Sequence, residues 1–223
     1  MQKIISGYHT FRKKVYPANE ALFRELASGQ KPEVLFITCS DSRVMPNLIT
    51  QTRPGDLFIC RTAGNIVPAF SQVTGGVSAT IEYAVMALGV RHIIVCGHSD
   101  CGAMKGVLNP ELVAALPRVA EWLKHCEAAR AVVQQAYRHL QGEALMRAVT
   151  EENVVAQLNN LATHPSVIAK VRSGELQLHG WFYEIPTGEV LFRDPATGKF
   201  RPLAEISSSE EITQTPAFEI PSA

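Results

Sequence analysis

Two apolar runs in this chain end in residues that bind metals and hold charge. Residues 34–38, VLFIT, run into Cys39-Ser40-Asp41-Ser42-Arg43, and residues 92–97, HIIVCG, run into His98-Ser99-Asp100-Cys101-Gly102. Zinc takes thiolate and imidazole ligands in a tetrahedron, and three protein ligands leave the fourth position for a reacting water. Cys39, His98 and Cys101 are therefore the candidate ligands of one Zn2+ per chain. A His-x-x-Cys pair alone is an ordinary strand-end sequence. The cysteine at the corresponding end of the other run gives it weight.

Asp41 and Arg43 follow Cys39 by two and four residues. In an extended segment alternate side chains face one side, so all three point into one site. A carboxylate beside a guanidinium is held ionised and oriented. Two roles stay open for Asp41: orienting a zinc-held water, or taking the fourth zinc position itself and closing the site. Without function, the pair is a surface ion pair worth ~0–1 kcal/mol. The remaining cysteines read as packing: Cys60 and Cys96 lie inside apolar strand patterns, and Cys126 sits on a helical core stripe.

The elements that must hold these groups are legible around them. Short continuous apolar runs at 34–38 and 92–97 predict strands buried on both faces, with a further strand at 56–61. Between them, Val77, Ile81, Ala84, Val85 and Leu88 lie on one face of a helix over 74–89, which Gly89 stops. Strand, helix and strand predict an α/β fold with a mostly parallel central sheet flanked by helices. Functional groups gather beyond the C-terminal ends of such strands, where Cys39, His98 and Cys101 fall.

Residues 1–30 predict an N-terminal helical arm, with Asn19 capping a helix that carries Leu22, Phe23 and Leu26 and ends at Gly29-Gln30. The arm is too short for a domain and is expected to pack on the core or on a second subunit. Residues 111–173 predict helices, with Trp122, Leu123, Cys126, Ala129, Val132 and Val133 on one stripe and Leu145, Val149, Val154, Leu158 and Leu161 on another. Residues 176–185 and 190–193 predict a closing β pair around Pro186-Thr187-Gly188. The domain reading is an arm at 1–30, a catalytic α/β domain at 31–205 and a loose, Ser/Thr/Glu-rich C-terminal tail at 206–223.

Composition narrows the function. In 223 residues, 21 Lys and Arg balance 21 Asp and Glu. That balance argues against a charge-driven binder of nucleic acid or membrane surfaces. No apolar run reaches ~18 residues, so no bilayer span is expected, and the N-terminus offers no signal-peptide core. Five cysteines are odd in number and too sparse for a disulfide scaffold, which fits a reducing compartment.

CSDSR, followed 59 residues later by HSDCG, resembles the paired motif of the β-class carbonic anhydrases. VLFITCSDSR, PNLITQ, AGN, IEYA and CGHSDCGAMKG are similar to the cyanobacterial, carboxysomal-type branch, over roughly residues 8–190. The resemblance implies a zinc enzyme that hydrates carbon dioxide to bicarbonate and a proton by zinc-held hydroxide. It implies Cys39, His98 and Cys101 as ligands and Asp41 and Arg43 as the catalytic dyad. It places Gln30, Phe58, Ala63, Tyr83 and Gly102 around the substrate pocket. In the family Gln30, Phe58 and Tyr83 come from the partner subunit, so a homodimer or a higher even-numbered oligomer is expected, with the arm embracing the partner.

Departures are specific. Thr62 stands where the family's usual RNAGN has Asn. Phe36 stands where members with a non-catalytic bicarbonate site carry Trp, although Arg61 and Tyr183 match that site's other members; Phe lacks the indole N–H donor, which argues against inhibition by bound bicarbonate. Carboxysomal members carry a longer C-terminal extension, so the expected location is the cytoplasm, with the carboxysome and its proteins as the alternative. Two other functions use the same ligands: a catalytically inactive zinc scaffold, and a hydrolase of carbon disulfide or carbonyl sulfide. The intact Asp41–Arg43 pair argues against the scaffold.

Overall fold

The computed structural model describes residues 1–71 and 75–206. The expected tail therefore lies outside the described residues, apart from its first residue, as does the start of the expected helix at Thr74.

Among the described residues, six strands form one sheet in the order β2-β1-β3-β4-β5-β6. They are β1 Val34–Cys39, β2 Leu57–Thr62, β3 His92–His98, β4 Gln177–Glu184, β5 Glu189–Arg193 and β6 Phe200–Pro202. The first four run parallel, and β5 and β6 close the sheet antiparallel. The mostly parallel sheet agrees with the apolar runs. Every residue of β1 and β3 after the first is buried, because side chains alternate between two covered faces. β6, only three residues long, carries no apolar run and was not expected.

The helices are α1 Gln2–Thr10, α2 Tyr16–Ala18, α3 Glu20–Leu26, α4 Pro46–Thr50, α5 Gly76–Glu82, α6 Gly102–Leu108, α7 Pro117–Leu123, α8 Glu127–Ala136, α9 Gly142–Ala162 and α10 Pro165–Arg172. One sheet face, with Leu35, Ile37, Ile93, Val95 and Leu178, packs against Ile81, Val85, Val154, Leu158, Leu161 and Val167. After α5 the chain continues through a wide turn, Tyr83–Ala87, and reverses at Gly89 with φ +68°. A second cluster joins Cys39, Cys101 and Met104 to Leu123, Cys126, Val133 and Val149. Val132, expected on that stripe, is exposed. Ala129 and Val133, one turn apart, take the inward positions of α8.

The arm buries no residue of α1, α2 or α3, and Ile4, Ile5, Tyr8 and Val15 are exposed. It is held together by its own rings: Phe23 stacks on Tyr16 at 5.3 Å and meets Phe11 edge-on at 5.9 Å. Asn19 stands at the N-cap position of α3, as expected, and its carbonyl accepts from Phe23 N–H at 3.1 Å, but its side chain makes no capping bond. Its side-chain amide donates back to the Val15 carbonyl at 2.9 Å, closing the preceding turn instead.

Candidate metal centre

β1 and β3 are neighbours, with Thr38 opposite Cys96, so their C-terminal ends bring Cys39 beside His98. Three residues on, Cys101 precedes α6. One ligand atom from each of Cys39, His98 and Cys101 lies within 4.8 Å of the others. All three residues are buried, His98 and Cys101 completely.

The imidazole is aimed by its own backbone. His98 Nδ1 lies 2.8 Å from the Ser99 carbonyl. A carbonyl only accepts, so Nδ1 carries the proton and Nε2 presents its lone pair. That Nε2 is buried with no hydrogen-bond partner among the described residues. Ser99 is itself pinned to β4: its N–H donates to Tyr183 O at 3.0 Å and its Oγ accepts from Ile185 N at 2.9 Å.

The two sulfurs are set among donors. Gly64 N–H donates to Cys39 Sγ at 3.3 Å. Cys101 stands at the N-cap position of α6, where the first-turn backbone at Ala103 and Met104 favours its thiolate. The neighbouring Cys101 thiol, with help from the Gly64 N–H, lowers the Cys39 pKa to about 4; the same neighbour and burial hold Cys101 above the ordinary thiol range. An orphaned buried imidazole nitrogen beside two donor-supported sulfurs is a donor set for a borderline-soft dication, whose charge two thiolates would neutralise.

Arg43 grips Asp41 with Nε–H to Oδ1 at 3.0 Å and Nη2–H to Oδ2 at 2.8 Å, and its backbone N–H adds a third bond at 2.9 Å. This holds the Asp41 carboxyl well below the usual carboxylate range. Asp41 Oδ2 lies 3.9 Å from His98 Nε2, so the carboxylate borders the ligand cluster. Arg61 ties the loop down from β2, donating to the carbonyls of Cys39 at 3.1 Å, Asp41 at 2.7 Å and Val44 at 2.6 Å. Phe36 is fully buried and meets Trp181 edge-on at 5.9 Å. Thr62 is satisfied, its hydroxyl donating to the Ile66 carbonyl at 3.0 Å.

Ala63 and Gly102 are exposed and stand next to Gly64 and Cys101. The other expected pocket residues are not brought to the cluster within one chain. Phe58 pairs with Leu35, four residues before Cys39, or about 13 Å along the strand. Tyr83 sits with Phe58, ring centroids 6.0 Å apart, and Gln30 is exposed four residues ahead of β1.

Several supporting residues were not expected at the site, although Gly64 lies in the AGN motif. Gly64 adopts φ +74°, and a Cβ there would lie 2.8 Å from Ala103 Cβ. Its carbonyl accepts from buried Asn153 at 3.0 Å. Gln157 bonds Asn153 and the Val67 N–H, and Asn160 bonds the Val67 carbonyl. These amides recur at i, i+4 and i+7 on the core side of α9, a spacing that could have flagged them. Trp122 Nε1–H holds the Ala63 carbonyl at 2.9 Å.

A family model described as carbonic anhydrase matches residues 34–190. The chain is 50% identical over 205 residues to a carbonic anhydrase of Pseudomonas aeruginosa, covering 92% of this chain and 93% of that protein. It is 48% identical over 212 residues to one of Synechocystis, covering 94% and 77%. Among solved structures, the β-carbonic anhydrase CcaA matches with a TM-score of 0.88 and 49% identity over 91% of this chain and 98% of that one. One of two tetrameric β-carbonic anhydrases from Sordaria macrospora matches at 0.78 and 30% identity, covering 86% and 95%.

Proposed function

The chain belongs to the β-class carbonic anhydrases and catalyses the reversible hydration of carbon dioxide; on that premise we propose that Cys39, His98 and Cys101 hold one Zn2+, with Asp41 and Arg43 as the catalytic pair. The observation that carries the metal assignment is the buried His98 Nε2, without a partner, facing two sulfurs. When bound, zinc supplies a Lewis acid that brings the pKa of its water toward neutrality.

The chain's own groups do the rest. Asp41, ionised at neutral pH because Arg43 holds it so, can only accept hydrogen bonds. A water beside it must donate to it, which turns the water's remaining lone pair toward the substrate. Because its pKa lies so low, Asp41 makes a poor proton carrier, and the released proton passes to buffer. The carbonyls gripped by Arg61, the donor from Gly64 and the start of α6 keep the two sulfurs and the carboxylate in register as bicarbonate leaves.

Gln30, Phe58 and Tyr83 of each chain line the pocket of its neighbour, with Ala63 and Gly102 on the near wall. Supporting this are their place at the far end of the sheet, the exposed apolar arm and the tetrameric Sordaria relative. Gln30 then donates its amide to a substrate oxygen, and the rings exclude water. Arg61 is already committed to three carbonyls and Phe36 to Trp181, which supports a site without bicarbonate inhibition. No described helix is long and apolar enough to cross a membrane, and five free cysteines suit the cytoplasm as its location.

The test is stopped-flow hydration of carbon dioxide across pH 6.5–9 on protein with its metal content quantified. Turnover with about one zinc per chain is expected. Full zinc loading without turnover at any pH would return the reading to the scaffold or the sulfur-substrate hydrolase.

A further inference from the structure

Asp100 lies between two candidate metal ligands, His98 and Cys101, and adopts φ +56°. Left-handed backbone is costly for most residues and tolerated by Asp and Asn. Here it turns the end of β3 into α6 and aims two oxygens of one residue at Arg43. Asp100 Oδ2 accepts from Arg43 Nη1 at 3.0 Å, and the Asp100 carbonyl accepts from Nη2 at 3.2 Å. The other carboxylate oxygen, Oδ1, pairs with Lys105 of α6. Charges alternate along Asp41, Arg43, Asp100 and Lys105.

The guanidinium is planar, with five N–H donors in a fixed fork. Asp41 takes the edge formed by Nε and Nη2, while Asp100 takes Nη1 and the second proton of Nη2. Held at one edge, the plane can pivot about Asp41; held at both, it is fixed. Arg43 is 43% exposed, so water can replace the Asp100 contacts energetically. Water cannot reproduce their direction. We propose that Asp100, anchored by Lys105, is a positioning residue that fixes the Arg43 plane and through it the Asp41 carboxylate. This rests on the reading of Asp41 as the group that orients the reacting water.

Asp100→Gly tests it, because glycine takes positive φ freely and only the side-chain contacts are lost. In the zinc-loaded enzyme, kcat/KM should fall about fivefold, the scale of a partly screened charged contact. Zinc content and thermal midpoint should stay unchanged, and the Arg43 Nε–H should exchange with solvent faster by NMR. Asp100→Asn tolerates the same backbone and keeps an acceptor for Nη1, so it should recover kcat/KM to within about twofold. Lys105→Met approaches the same brace from α6 without touching the turn and should lower kcat/KM in the same direction. Wild-type kcat/KM in Asp100→Gly, or Asp100→Asn no better than Asp100→Gly, overturns the proposal. Asp41→Asn, run alongside, separates the two readings. If it is impaired while Asp100→Gly is not, only the brace falls; if it too is unimpaired, the role of Asp41 falls with it.

Discussion

Gly64→Ala perturbs the candidate metal centre through packing alone. Gly64 sits at φ +74°, where an L-residue costs ~1–2 kcal/mol. Its new methyl would lie 2.8 Å from Ala103 Cβ and 3.3 Å from Met104 Cε. Ala103 is a short side chain on α6 and cannot swing aside, so backbone must move, at an overpacking cost of ~1–3 kcal/mol. Together the variant should lose about 3 kcal/mol, a fall in thermal midpoint of about 6–12 °C for a chain of this size. Gly89→Ala is the internal control: φ is +68° but a Cβ there meets nothing within 4 Å, so only the backbone cost of ~1–2 kcal/mol applies. The strain also reaches the sulfurs, because Gly64 N–H donates to Cys39 and Ala103 lies in the first turn of α6, directly after the N-cap Cys101. Zinc affinity should drop about tenfold or more. The assay is thermal unfolding at one fixed protein concentration, since oligomers are stabilised by mass action, with chelator competition for zinc. If Gly64→Ala is no less stable than Gly89→Ala and holds zinc equally well, the close approach of the 63–65 turn to α6 does not support the site.

Asp41→Asn should keep zinc and lower kcat/KM about 10- to 100-fold, read by stopped flow on metal-quantified protein; unchanged turnover would remove Asp41 from the mechanism. His179, packed against His92 with ring nitrogens 3.1 Å apart, titrates near 4 instead of 6.5 because of burial and then the charge of His92. Between those values the unfolded chain binds more protons, so stability is complete above pH 6.5 and falls as pH drops toward 4, by about 3 kcal/mol at most. His179→Gln should flatten that part of the pH–stability curve, and an unaltered slope would assign it elsewhere. Burial pushes the Cys96 and Cys126 thiols up to about 12, so at pH 8 they stay protonated. Iodoacetamide should label Cys39 first in metal-free protein, with zinc protecting it, and equally rapid mass-spectrometric labelling of Cys96 or Cys126 would contradict their buried environment.

The strands were legible because their cause is local. A strand buried on both faces must be apolar throughout, and β1 and β3 are written that way in the residues themselves. The helix from residue 76 and the stripe of α9 were legible for the same reason, since a buried face repeats with the helical period. Val132 was misread, and the Asn19 side chain turned away from the helix it begins, where short-range pattern met a choice that packing decides. Asn19 had a carbonyl four residues back to bond, and Val132 had a neighbour better aimed inward.

The sequence by itself determined the candidate ligand types, their places at two strand ends and the Asp–x–Arg spacing, because chemistry and chain direction sit within a few residues. Tertiary structure decided what surrounds them. The Gly64 donor, the Asn153–Gln157–Asn160 ladder, the Trp122 clamp and the grip of Arg61 all join residues that the chain separates widely. Their partners are backbone N–H and C=O groups, which every residue carries and no motif marks. Hydrogen bonds to backbone are specified by where a fold brings two segments together, and that is a property of the whole chain.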